Sequence, residues 1–521
     1  MRKIGGKLKP FAIPILFFLL VFSILTNQNL QNELELPAEG WSRSLPLDAG
    51  KVGAVKPVFL QESGQQHVYV PKENEVLSFT VNSDLEVKNK KTTPISIPSP
   101  QNFWAKDNEF VYVKNKQLIH FDGKKENVLD KGVFGMDANQ EKIIYFKEHE
   151  ILSVEPGKWT IKSIDKVEER LEAVVVNDES QSFLTSGVIA GDTKKAKAVF
   201  YQFEESTYKK HEILNKDELI SENHFGFYFI EHGMDVTIYY TLFENTSGAR
   251  SYNVFHGTNQ MGSGDEWTFN KMTFQHKNGV KLENPKYLQY GVDENNLAKV
   301  LFTTRAMKSH EKEAVNVYEA YQKGDVWLTE RRSTTNNGSL HAHWIDEKSI
   351  VWMNMISQKE FTFSGASANP DIIEKSLVIT KEDYKQAIST TILSLFQGLV
   401  LAMSALFWIT PAILFALLVY LVKISLIEDE DKRVMFTILA LYLGVQLIFI
   451  QKLFNEHYYY FAPDFLAFSG SSFIIPLILA VLSGAAVMFG KKKDWSMIAS
   501  ICYFIGVNIT FLSLTVGPYM F

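Results

Sequence analysis

Between about residues 33 and 380, short runs of β-branched and aromatic residues alternate with clusters of Asn, Asp, Gly and Lys. Beyond residue 390 this rhythm gives way to long, nearly uncharged apolar stretches. The first pattern is that of strands and turns. The second is that of helices long enough to cross a bilayer. Together they predict an all-β domain followed by an α-helical membrane bundle.

Three stretches of the β-rich region resemble one another. They are His67-Val68-Tyr69-Val70 with Val76-Leu77-Ser78-Phe79, Phe110-Val111-Tyr112-Val113 with Leu118-Ile119-His120-Phe121, and Ile143-Ile144-Tyr145-Phe146 with Ile151-Leu152-Ser153-Val154. Each pairs one apolar strand with a second across a charged turn. Hairpins recurring in this way point to radial repetition, as in a β-propeller. At ~40–45 residues per blade, residues 33–380 have room for about seven or eight. The tyrosine spacing is uneven and the later half repeats less clearly. Residues 347–364, with Val351-Trp352 and Phe361-Thr362-Phe363, supply a candidate final hairpin.

The stretch 391–426 is long for one crossing and contains Pro411. Thr380 followed by Asp383 is close to a capping box, which predicts a helix from Lys381. Polar Thr390, Thr391, Ser394 and Gln397 then suit a helical stalk over 381–398, ahead of a crossing at 399–422 kinked at Pro411. Further crossings are predicted at 434–450, 471–490 and 496–516, with small residues Ala480 and Gly484 spaced for close helix packing. At the other end, a basic segment (1–10) precedes an apolar run (11–26), the pattern of a cleaved signal peptide or an uncleaved anchor; the lack of an A-x-A exit favours a signal anchor or N-terminal transmembrane helix. One crossing at 399–422 places Lys432, Arg433 and Lys491 to Lys493 on the same side as the basic N-terminus, as the positive-inside rule requires. The β-rich domain is then exported, and the protein sits in the cell membrane as a multi-pass protein.

Composition narrows the chemistry. A net charge of −6 over 521 residues gives no basic surface for nucleic acid. The single cysteine, Cys502, permits no internal disulfide and reads as a small packing residue. No cofactor motif is present. His341 and His343, flanking Ala342, are weak metal-ligand candidates because alternate residues on a strand share a face. His224, His232 and His256 lie among Tyr228, Tyr239 and Tyr240, with no nucleophile in view. Gly262-Ser263-Gly264-Asp265 reads as a loop and lacks the Gly-Lys-Ser/Thr ending of a phosphate loop. Asn245-Thr246-Ser247 and Asn337-Gly338-Ser339 match the glycosylation acceptor. The four C-terminal spans carry no interior Asp, Glu, Lys, Arg or His, against an ion or proton relay.

These features favour a non-enzymatic binding or assembly module, partnered by the lipid bilayer and by another membrane or extracytoplasmic protein, peptide or glycan. An extracytoplasmic enzyme with its site in the β-rich domain is the alternative, and an accessory subunit of a transport or signalling complex is the third reading.

Overall fold

A computed structural model describes residues 9–520, apart from 54, 63–64, 99–101, 178–179, 190–194, 218–221, 247, 295, 310–311, 337 and 492–494. Two compact units emerge: one comprises Leu36–Lys308 and Lys312–Val378, the other chiefly the N-terminal helix and Ile379–Phe521.

The first unit is a seven-bladed β-propeller, one sheet to each blade. Its inner strands are Val58–Glu62, Trp104–Lys106, Gly135–Ala138, Arg170–Val176, Glu222–His232, Lys286–Val292 and Ser339–Asp346, for blades 1 to 7 in order. The recurring pairs in the sequence are the two middle strands of blades 1, 2 and 3, such as Glu109–Lys114 against Gln117–Phe121. Middle strands are covered on both faces by neighbouring blades, so Phe110 to Val113 and Ile143 to Phe146 are continuously buried. Outer strands such as Val87–Thr93 face solvent and carry Lys and Asn, which is why they lack a hydrophobic signature. The later blades repeat poorly because their strands lengthen; Asp235–Thr246 and Ala249–Gln260 have 12 residues each. Blade 6 also adds Phe274–His276, parallel to Val326–Arg331, and Lys281–Leu282 at its outer edge.

The ring closes in blade 7. Leu45–Val52 pairs antiparallel with Glu360–Ser367, with Leu45 opposite Gly365, so the N-terminal strand supplies the blade's outer edge. Ser42 reinforces the closure: its N–H donates to Ser367 O and its Oγ accepts from Ser367 N–H, both at 2.9 Å. Close by, the buried Arg332 Nε donates to Glu319 Oε2 at 2.8 Å, and its guanidinium lies 4.4 Å from the Trp41 ring. The final hairpin expected over 347–364 is Ser349–Ser357 with Glu360–Ser367.

Among the described residues, the second unit holds five helices long and apolar enough to cross a membrane: Lys9–Leu34, Lys381–Val422, Lys432–Ile450, Ser471–Gly490 and Met497–Tyr519. Thr380 caps the second with a reciprocal capping box, Thr380 N–H donating to Asp383 Oδ2 at 2.7 Å and Asp383 N–H to Thr380 Oγ1 at 3.2 Å. Along the stretch 381–398, expected to be a helical stalk, Ala387, Thr390, Thr391 and Gly398 are buried. Asn29 Nδ2 donates to the buried Thr391 Oγ1 at 2.9 Å, and a Cβ on Gly398 would collide with Ser513 O. Pro411 lies inside the helical segment Leu406–Val422; Ala405, between it and Lys381–Ser404, keeps right-handed φ and ψ of −60° and −22° and its N–H donates to Leu401 O at 3.1 Å. Pro411 has no N–H to donate to the Phe407 carbonyl one turn earlier. Of the small-residue pair, Ala480 is buried, whereas a Cβ on Gly484 would meet nothing within 4 Å. The close approaches are instead made by Gly398 and Gly517. Cys502 faces outward and does not pack in the core. Lys492 and Lys493, used above to orient the spans, lie outside the described residues, as do Ser247 and Asn337 of the acceptor motifs.

Candidate functional site: a polar belt on the inner strands

In a propeller the inner strands face a common axis, so a polar residue at the same level of each blade can meet its neighbours although far from them in sequence. Lys56 lies just ahead of the inner strand of blade 1, and its Nζ donates to Asn102 Oδ1 at 2.6 Å. Asn102 precedes the inner strand of blade 2, and its Nδ2 donates to Asp137 Oδ1 at 2.7 Å. Asp137 sits within the inner strand of blade 3, and its other oxygen accepts the Val176 N–H of blade 4 at 2.9 Å. On the other side of Lys56, His341 of blade 7 feels the ammonium charge and meets the Tyr287 ring of blade 6 at 4.3 Å. One polar belt thus runs through blades 6, 7, 1, 2, 3 and 4.

Lys56, Asn102, Asp137 and His341 all keep partial exposure while protein surrounds them. Burial raises the Asp137 carboxyl above its ordinary range, against the opposing pull of the Val176 N–H, Lys56 and Asn102. Burial likewise lowers the Lys56 ammonium, opposed by Asp137. Asn102 stands between the two charges, so their attraction does not recover the loss of water around each. His341 is lowered to about 4, first by burial and then by Lys56, and burial lowers His343 to about 3. Both imidazoles are neutral near pH 7.

The shared-face expectation for His341 and His343 fails. The ladder of blade 7 is irregular between Leu340 and His343, and His341 has a left-handed backbone with φ of 50°. A bulge of this kind breaks the alternation of faces. His341 therefore turns to Tyr287 of blade 6, while His343 stacks on Phe59 of blade 1 at 4.3 Å and 4° between planes. Among the described residues, no group of three or more His, Cys, Asp or Glu is placed to hold a metal.

The second histidine set is also dispersed. His224 meets Tyr240, on the face of blade 5 toward blade 4, whereas His256 meets Tyr239 and Trp327, on the face toward blade 6. His232 ends the inner strand opposite Asp235. Gly262-Ser263-Gly264-Asp265 follows the strand Ala249–Gln260 as a turn, held by Asn259 Nδ2 donating to Asp265 O at 2.8 Å. Sequence reasoning missed Lys56, Asn102, Asp137 and Tyr287. Their only local signal is a polar residue at or near a short inner strand, which looks like any turn residue.

No protein-family profile and no curated protein matches the chain. Several solved structures resemble it at a distance. A protein of unknown function from Dyadobacter fermentans is 7% identical with a TM-score of 0.37, over 63% of this chain and 99% of that one. The α-L-arabinanase of Penicillium chrysogenum, solved with arabinobiose, is 7% identical with a TM-score of 0.35, over 63% and 99%. The β-propeller domain of the Trilobed protease from Pyrococcus furiosus is 10% identical with a TM-score of 0.29, over 59% and 80%. Likenesses this distant bear on no residue and on no activity.

Proposed function

We propose that this protein is a membrane-anchored binding protein whose propeller stands outside the cytoplasm and takes its ligand at the inner-strand belt. The carrying observation is the belt itself: consecutive blades contribute interacting groups, including a cation, an amide, a carboxylate and a neutral imidazole. Blades need no such charges at their axis to pack, since apolar or neutral residues would hold them together without the loss of hydration. The helices and the position of Lys432 and Arg433 at one end of Lys432–Ile450 support the anchoring and its orientation. A cysteine introduced at Lys432 is expected to stay protected from an impermeant thiol reagent in intact cells, and labelling there would reverse the orientation.

The raised Asp137 carboxyl favours a second reading, an enzyme using it as a general acid. Against this, both carboxylate oxygens already accept hydrogen bonds, from Asn102 and from the Val176 N–H. The full-length protein in lipid nanodiscs, screened against soluble glycan and peptide panels, tests the two. A ligand recovered unchanged, and held at least about ten-fold more weakly by Lys56→Ala at unaltered melting temperature, is expected. Affinity indifferent to Lys56→Ala would overturn the site, and conversion of the ligand that stops in Asp137→Asn would establish the enzyme.

A further inference from the structure

We propose that the belt is a saccharide site in which the Tyr287 ring is the stacking face; this rests on the ligand-binding reading above and gives it a substrate class. The starting observation is backbone strain. Tyr287 and His341 are non-glycine residues with φ of 52° and 50°, on the inner strands of adjacent blades. Each sits in a ladder irregularity, between Lys286 and Gln289 in one strand and between Leu340 and His343 in the other. A bulky side chain with positive φ is a strained arrangement that glycine would relieve, and bulges re-aim side chains beside functional sites. Here the two distortions bring the rings together, with centroids 4.3 Å apart and planes at 57°. Tyr287 nonetheless stays 41% exposed, so the strain presents an aromatic ring and does not bury it.

The chemistry along the belt selects the ligand. An exposed aromatic face takes the C–H face of a sugar ring. Sugar hydroxyls donate and accept, and beyond their bonds to one another the belt groups keep capacity for both: further N–H donors on the Lys56 ammonium and Asn102 amide, second lone pairs on the Asn102 carbonyl and Asp137 carboxylate, and His341 as either. Lys56 and Asp137 balance in charge, so the belt has no excess cation to select phosphate or another polyanion. A peptide adding as a strand needs an uninterrupted edge, and the bulges at Tyr287 and His341 interrupt it on both blades. A neutral oligosaccharide is the ligand class that fits.

The test uses the full-length protein in nanodiscs, with neutral gluco-, galacto- and xylo-configured oligosaccharides as one panel and a random peptide library as the other. Wild type is expected to bind at least one oligosaccharide. Tyr287→Phe should keep its affinity within a few-fold, and Tyr287→Gly should weaken it at least about ten-fold. Because glycine relieves the backbone strain, Tyr287→Gly should melt no lower than wild type, which separates loss of the site from loss of the fold. Saccharide affinity unchanged in Tyr287→Gly overturns the proposal. A peptide bound in a Lys56-dependent way, with no saccharide bound, overturns it while leaving the ligand-binding reading intact. Binding to neither panel overturns both.

Discussion

Each unit contains a polar network, and the two are built on opposite plans. In the helical unit, Tyr442 OH donates to Asn508 Oδ1 at 2.8 Å, and Gln446 Nε2 donates to both Asn508 Oδ1 at 2.8 Å and Tyr442 OH at 3.1 Å. All three side chains are buried, none carries charge, and each sits within a helix. In the propeller, the belt is charged, partly exposed, and carried by strands whose ladders break at Tyr287 and His341. A neutral, enclosed triad suits helix association in an apolar medium, although the buried Asn508 Nδ2 finds no hydrogen-bond partner among the described residues. A charged, open and strained belt is stabilised less well than its surroundings, and that asymmetry is what the proposed ligand site rests on.

The contrast can be broken most forcefully in the triad. Asn508→Leu removes the acceptor for Tyr442 and one acceptor for Gln446, and should destabilise the helical unit by about 2–3 kcal/mol. Unfolding in mixed micelles, followed by hydrogen exchange on Lys432–Ile450, would measure it; a loss below about 0.5 kcal/mol would mean the triad is incidental.

Acid should discriminate between the networks next. His341 and His343 titrate in the fold near about 4 and about 3, below the ordinary histidine value of 6.5. Groups depressed in this way contribute stability above pH 6.5 and lose it as pH falls toward their folded values. The propeller should therefore lose about 1–2 kcal/mol per imidazole between pH 7 and pH 5, after allowance for partial exposure. His343→Gln should flatten that limb, while the triad, with nothing to titrate there, should show no matching loss. An equal acid slope in wild type and His343→Gln would remove the histidine from the account.

The smallest effect is the most diagnostic. Asp137→Asn discards a carboxylate that burial disfavours and keeps an acceptor for the Val176 N–H. Stability at pH 7 should stay within about 1 kcal/mol of wild type while ligand binding falls. A large loss of stability with binding intact would make Asp137 a structural tie between blades and no part of a site.

Much of this architecture was legible in the residues. The middle-strand hairpins at Tyr112 and Tyr145 showed themselves because strands enclosed on both faces must be apolar throughout. The capping box at Thr380 was legible because its bonds span only three residues. The belt was not. Lys56, Asn102 and Asp137 are far apart in sequence and gain meaning only when the blades bring them round one axis. His341 and His343 misled for a related reason: simple alternation assumes a regular ladder, and the bulge is set by pairing with Ser349–Ser357.

What the sequence determined by itself is what local physics dictates. It fixed strand and helix periods, the lengths of the apolar runs, the start of the helix at Lys381 and the radial repeat. Tertiary structure alone decided the rest: seven blades, closure by Leu45–Val52 on Glu360–Ser367, and the faces to which the histidines turn. The physical reason is range. A period or a cap is settled by neighbours a few residues away, whereas a closure strand, a belt or a buried triad is settled by partners that only folding brings within bonding distance.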